Sequence, residues 1–237
     1  MSETVVTLDN PDISVRLRVS RQARRFTLRL EPAGDGAVLT LPPGVPRAEA
    51  RMFLMRQSDW LVRALARQPE RVVVGDGTSL PVAGNAVEIH MIEGPRRAPR
   101  LEDGRLILSG PAARGVLAGP RVAAFLKSRA RDALVPAARH YCGLLGRQPA
   151  AVTLRDTRSR WGSCTAQGRL SFSWRLAMAP PEVLDYVAAH EAAHLLEMNH
   201  GPRYWAVLER IMPDYHPRRA WLKSEGRKLH GFQFGPA

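Results

Sequence analysis

His190-Glu191-Ala192-Ala193-His194, with His200 six positions beyond the second histidine, is the stretch that decides how this chain is read. Residues four apart share one face of a helix, so His190 and His194 can turn a ring nitrogen toward a single ion. Glu191 stands beside the first of them, near the ion's open side, where a carboxylate takes a proton from water. The spacing predicts a zinc hydrolase, and among hydrolases a peptidase.

The flanking residues agree with a helix. Pro180-Pro181-Glu182 supplies prolines suited to the first turn and an acid near its positive end. Val183, Val187, His190 and His194 then follow at intervals of four, three and four, and neither proline nor glycine intervenes before Gly201. The plainer alternative, two histidines on an ordinary amphipathic helix, leaves this context unexplained.

An open tetrahedral zinc site needs a third protein ligand, and three residues compete for the place. Glu197 falls near the same helical face but about 10 Å along the axis from His190. Glu209 would need a second helix to present it. His200 fits best, because the chain can turn back after Met198-Asn199, asparagine tolerating the left-handed conformation that ends helices. Its interval from His194 equals that of the metzincins, although Glu197 occupies the position of their glycine.

A chain of 237 residues, 45% hydrophobic and 24% charged, can bury a core in one domain or in two small ones. The N-terminal Met1 to Asn10 has neither a basic start nor an apolar run, and no stretch of 18 apolar residues occurs. Cys142 and Cys164 form no CxxC pair and imply no disulfide framework. A cytoplasmic protein without membrane contact is expected. The net charge of +13 suggests phosphates or acidic substrates, but 32 of the 35 cations are arginine, a bias that genome composition also produces. No RNP-like motif or zinc-finger spacing accompanies the charge, so nucleic acid is a possible partner and not an indicated one.

Working outward along the chain, Ile13, Val15, Leu17 and Val19 alternate with polar neighbours, as do Phe26, Leu28 and Leu30. With the turn Ala33-Gly34-Asp35-Gly36 and the run Ala37 to Leu41 they predict an antiparallel meander. One helix is expected from Pro46 to about Gln68. Strands are expected at Arg71 to Val74, Ser79 to Val82 and Val87 to Ile92, and a hairpin about Glu102-Asp103-Gly104. Gly115 to Leu145 reads as helix, with Pro136 expected to kink or interrupt it. Val152 to Asp156 and Arg169 to Trp174 read as strands joined by the loop Thr157 to Gly168. Proline-led helices then run over Pro181 to Met198, Pro202 to Met212 and Pro217 to Leu229. No internal repeat is visible.

That loop holds Arg158-Ser159-Arg160-Trp161-Gly162-Ser163-Cys164. Arg160 can bind a carboxylate or phosphate in bidentate fashion, and Trp161 can wall a pocket. With Gly162 and Ser163 they are the candidate substrate-binding residues, an edge strand beside a metal being able to receive an extended peptide. The alternative is a hairpin turn in which Gly162 supplies an unusual backbone and Trp161 packs in the core. Cys164 has no identifiable base and reads as an incidental thiol.

Taken in order, Arg160-Trp161-Gly162-Ser163-Cys164, Trp174-Arg175-Leu176, Asp185-Tyr186-Val187 through His194, and His200-Gly201-Pro202-Arg203-Tyr204-Trp205 resemble the YgjP-like metallopeptidases, relatives of the SprT and WLM groups. Arg21 to Arg25, Leu41-Pro42-Pro43-Gly44 and Pro213-Asp214-Tyr215 extend the resemblance over nearly the whole chain. Tyr204 departs from it, a phenylalanine being common there. The pattern of elements predicts an α+β chain with a β-rich region, holding one helix, over 1–114. For residues 115–237 the resemblance implies a zincin-like catalytic domain, built of a small antiparallel sheet and the HExxH helix. It also implies zinc on His190, His194 and His200, with Glu191 as base.

A polypeptide is the expected substrate. Zinc would activate a water for attack on the peptide carbonyl, and Glu191 would take the water's proton and pass it to the leaving amine. Arg160, Tyr215 and His216 are the candidates for steadying the transition state, Tyr215 being equally a packing aromatic and His216 a residue near a helix start. Two alternatives stay open: a nucleotide phosphohydrolase using the arginine-rich loop, unsupported by any glycine-rich phosphate loop, and a DNA-associated protease of the SprT kind.

Overall fold

The computed structural model describes residues 4–9, 12–31, 36–110, 118–157 and 159–235, with side chains from residue 13 onward. The expected turn at Ala33 to Asp35, the start of the long helix at Gly115 and the side chain of Arg158 lie outside the described residues. The chain divides into two compact units, Met1–Gln68 and Pro69–Ala237.

The first unit is a four-stranded sheet with two helices. Strands β1 (Thr4–Asp9), β2 (Asp12–Val19), β3 (Thr27–Leu30) and β4 (Ala37–Leu41) lie in the order β1-β2-β4-β3. Ile13, Val15 and Leu17 of β2 and Ala37, Leu39 and Leu41 of β4 alternate with less buried neighbours. They share a core with Ala50 and Leu54 of α1 (Arg47–Arg56) and Leu61 of α2 (Ser58–Ala66). Two expectations need correction here. β2 and β4 pair in parallel, not as neighbours in an antiparallel meander, because β3 is laid down on the far side of β4. The single helix expected over 46–68 is two, parted at Gln57, whose ψ of 5° leaves the helical region.

The second unit carries the histidine motif. It begins with β5 (Val72–Val73), and a second four-stranded sheet follows: β6 (Ser79–Val82), β7 (Asn85–Glu93), β8 (Arg100–Glu102) and β9 (Arg105–Gly110), ordered β6-β7-β9-β8. Its hairpins turn at Ala83-Gly84 and Asp103-Gly104, all four residues at positive φ, as a type I′ turn requires. The sequence shows no internal repeat, yet this sheet repeats the strand order and the antiparallel–parallel–antiparallel pairing of the first.

Helix α3 (Ala118–Leu144) follows and runs through Pro136 without interruption. Strands β10 (Ala151–Arg155), β11 (Gly162–Cys164) and β12 (Arg169–Ser173) make a three-stranded sheet ordered β10-β12-β11. A mixed sheet therefore replaces the expected antiparallel one: β10 runs parallel to β12, and β11, the edge strand that was one of the two readings of the loop, pairs antiparallel with β12. A 3-10 turn at Trp174–Met178 leads into α4 (Pro181–Ala193), α5 (Pro202–Ile211) and α6 (Tyr215–Ser224). A second 3-10 turn, Gly226–His230, and β13 (Phe232–Gln233) complete the unit.

The inner face of the second sheet (Leu80, Val82, Val87, Ile89, Leu106, Leu108) shares one core with α3, α4 and β12. The chain accordingly passes from one compact unit to the other between residues 68 and 69, whereas the sequence reading placed its boundary after 114. Among the described residues no helix is long and apolar enough to cross a membrane.

Candidate metal centre

Helix α4 is buried almost all round, as a central helix must be, and packs against α3, α5, α6 and β11. Pro181 opens it at the first helical position, and alanines 188, 189, 192 and 193 let its neighbours approach closely. It ends sooner than its sequence suggests, with His194 as the C-cap. The turn beyond it uses no left-handed residue: Asn199 is not among the non-glycine residues of positive φ, and Gly201 has a φ of −82°. Amides 195, 196 and 197 instead bond back to the carbonyls of Ala192 and Ala193.

This early stop brings the third histidine home. His190, His194 and His200 each offer one ring nitrogen, and the three lie within 4.8 Å of one another. The Nε2 atoms of His190 and His200 are 3.1 Å apart. Nitrogens about 2.0–2.1 Å from a common zinc in tetrahedral array would be separated by little more than that. His194 Nδ1 lies 3.0 Å from the Glu197 carbonyl. A carbonyl only accepts, so Nδ1 carries the proton and Nε2 keeps its lone pair. Tyr186 Oη lies 3.4 Å from His190 Nδ1, in position to fix that ring from behind. The donor set and the fixed tautomer suit a divalent ion such as zinc. Neither Glu197, which serves through its carbonyl, nor Glu209, exposed on α5, joins the cluster.

The surroundings hold the rings. Tyr204 of α5, fully buried, donates its hydroxyl to the His190 carbonyl at 3.0 Å. Trp205 donates its indole N–H to the His200 carbonyl at 3.1 Å. Burial, then the neighbouring His194 and His200, push the His190 pKa down to about 3, and burial lowers that of His194. Both rings therefore stay neutral, the state in which imidazole binds metal.

Glu191 is 4% exposed, and burial lifts its carboxyl to about 8 against the opposing pull of Arg160. It packs onto the backbone of β11: a Cβ built on Gly162 would stand 2.5 Å from Glu191 Cγ and Oε1. Gly162 has no positive φ, so glycine is required there for room and not for an unusual backbone.

A cleft of about 440 Å³ opens over these groups. Arg160, Trp161, Gly162 and Ser163 line it together with the three histidines and Glu191, and Val187, Met198 and Leu222 supply apolar wall. Trp161 is half-buried and stacks on His230, with ring centroids 4.6 Å apart. Cys164 also faces the cleft, its thiol pushed up to about 11 by burial, with Glu191 adding, so it stays protonated. Tyr215 and His216 do not line the cleft. Tyr215 is buried between the rings of Tyr186 and Trp205, and His216 stacks on it outside. The sequence reading quoted Tyr186 only within the resemblance and gave it no role, although its place four residues before His190 on one helical face was a usable signal. It passed over His230 as well, which no spacing could have indicated.

No curated protein and no solved structure matches the chain. The sequence model of one family, described as the YgjP-like metallopeptidase domain, matches residues 24–225 and so takes in β11, α4 and every residue of the histidine cluster. By that match, and with a donor set fit for a metal at its centre, the chain belongs to the YgjP-like metallopeptidase family.

Proposed function

We propose that the protein is a zinc-dependent peptidase in which His190, His194 and His200 hold the ion and Glu191 is the general base. The observation that carries this reading is the meeting of three imidazoles with a buried carboxyl at the edge of a strand. Zinc, when bound, supplies a Lewis acid that polarises a carbonyl and brings the pKa of water toward neutrality.

The rest is the work of the chain's own residues. A carboxyl lifted by burial, and lowered by any cation beside it, exchanges protons near neutral pH. That suits a group which accepts the nucleophile's proton and hands it to the leaving amine. Strand β11 lies at the edge of its sheet and lines the cleft, offering main-chain groups to an extended polypeptide. Arg160 makes no ion pair among the described residues, which leaves its guanidinium for a substrate carboxylate or for the charge that develops on the carbonyl oxygen. Tyr215, locked in an aromatic stack, suits a supporting role better.

Zinc-loaded protein should cleave unstructured polypeptides, and Glu191→Gln should keep its zinc while losing about 10²–10⁴-fold in turnover. Full activity in that variant removes Glu191 from the mechanism. Phosphate release from nucleoside triphosphates without peptide cleavage would replace the reading with a phosphohydrolase. Cleavage that depends on added DNA would point to a DNA-associated protease.

A further inference from the structure

The family match ends at residue 225, yet the catalytic unit fastens the residues beyond it at several points. Arg175, 5% exposed, grips the Asp156 carboxylate through Nε at 2.7 Å and Nη2 at 3.3 Å. Its Nη1 donates to the carbonyls of Leu229, at 3.1 Å, and Phe232, at 3.0 Å. The same guanidinium lies against the rings of Trp174 and Phe234. Strand β13 pairs with β5, and a Cβ on Gly119 of α3 would stand 2.7 Å from the Phe234 carbonyl oxygen. A buried cation that binds two carbonyls of one short segment fixes where that segment lies.

Behind Trp161, a residue of the cleft, the segment places His230, which does not itself line the cleft. Its ring stacks on the Trp161 indole at 4.6 Å and 26°. Gly226 closes on the same indole, since a Cβ there would come within 3.2 Å of Trp161 Cζ2. Trp161 in turn lines the cleft and precedes Gly162, on which the Glu191 carboxyl rests. An indole supported by a second ring and a glycine is a rigid apolar plate facing the site.

We propose that residues 226–234 brace a wall of the substrate site, in which His230 is a positioning residue that holds Trp161 as the seat for an apolar side chain of the polypeptide. This rests on the peptidase reading above. A segment that merely closed the fold would, when weakened, lower the fraction of active protein and leave KM unchanged. A wall that seats substrate acts on KM.

The test compares wild type, His230→Ala and His230→Phe on two peptides differing only in leucine or glycine near the scissile bond. Zinc content is measured in each, and binding of the labelled peptides is measured by anisotropy in a Glu191→Gln background. Loss of one stacked ring should raise KM and Kd for the leucine peptide about fivefold in His230→Ala, with kcat and zinc content retained. His230→Phe should restore the wild-type values, and the glycine peptide should respond to neither change. An unchanged KM, a fall confined to kcat, or an equal loss in His230→Phe overturns the proposal. If His230→Ala does not fold, Trp161→Ala decides: it must abolish the preference for leucine, and a preserved preference sinks the idea. Wild type that neither cleaves the peptides nor, as Glu191→Gln, binds them overturns the peptidase reading and this inference with it.

Discussion

At the scale of single residues the site turns on the absence of a side chain. Gly162 gives up its Cβ so that Glu191 can lie buried against β11. Its φ is open to alanine, so Gly162→Ala should fold, but the added methyl must drive the carboxyl from its place. We expect zinc content to stay at the wild-type level and kcat to fall by about 10²-fold or more, to be read by elemental analysis alongside peptide cleavage. Wild-type kcat in that variant would mean the carboxyl can work from elsewhere. His200→Ala should act in the opposite sense, lowering the affinity for zinc, since three ligands become two. Retention of the ion at wild-type affinity would move the third ligand to another residue. The histidines and Glu191 were legible because metal chemistry and helix geometry both dictate their spacing. Gly162 was named for the cleft and Tyr204 and Trp205 within the resemblance, but what they do was not legible, because it depends on partners that spacing does not show: a carboxyl 29 positions away for Gly162, the His190 carbonyl for Tyr204 and the His200 carbonyl for Trp205.

At the scale of elements, long patterned segments read well and short or dependent ones did not. Helix α3 keeps buried positions at Val122, Leu126, Ala130, Leu134, Ala138 and Tyr141, a stripe continuous on both sides of Pro136. That packing carries the helix across a residue that lacks an N–H and crowds the Asp132 carbonyl. Pro136 itself is exposed and contributes little burial. Pro136→Ala should therefore stabilise the unit by up to about 3 kcal/mol, seen as a rise of several degrees in Tm. An unchanged or lower Tm would mean that Pro136 shapes the packing of α3 on α4. Strand β11 lies at the other extreme. Gly162-Ser163-Cys164 has no alternation to betray a strand, and it becomes one because β12 offers a partner. Helix α4 was over-extended for a related reason: the apolar pattern continues past His194, while the amides of the next turn close on Ala192 and Ala193 and aim the chain back toward the cluster.

At the scale of the molecule, the two four-stranded sheets share an order and a polarity that no repeat in the sequence announces. Parallel pairings such as β2 with β4 and β7 with β9 join strands that are not neighbours in sequence, and period-two alternation carries no information on partner. The global charge balance of the catalytic unit can nonetheless be tested through its buried site. In the metal-free protein Glu191 has its pKa lifted from 4.5 to about 8, so its contribution is fully present below pH 4.5 and is lost as pH rises through 8. His190 is depressed from 6.5 to about 3, so its contribution is present above pH 6.5 and is lost as pH falls through 3, with His194 shifted in the same direction. Between about pH 4.5 and 6.5 the slopes of Glu191 and His190 oppose each other and cancel, and the lowered pKa of His194 leaves a net rise of stability as pH approaches 6.5. Below that window the histidines act alone and stability falls as pH falls, and above it Glu191 acts alone at about 1.4 kcal/mol per pH unit. Chelator-treated protein should thus be most stable near pH 6.5, with a decline on either side. Four of the five tryptophans lie in the second unit, so their fluorescence follows its unfolding. Added zinc should raise the whole curve and abolish the alkaline decline, because a cation at the imidazoles favours the Glu191 carboxylate. A metal-free protein whose Tm climbs from pH 6.5 to 8 would show that Glu191 is not held as the buried acid described here.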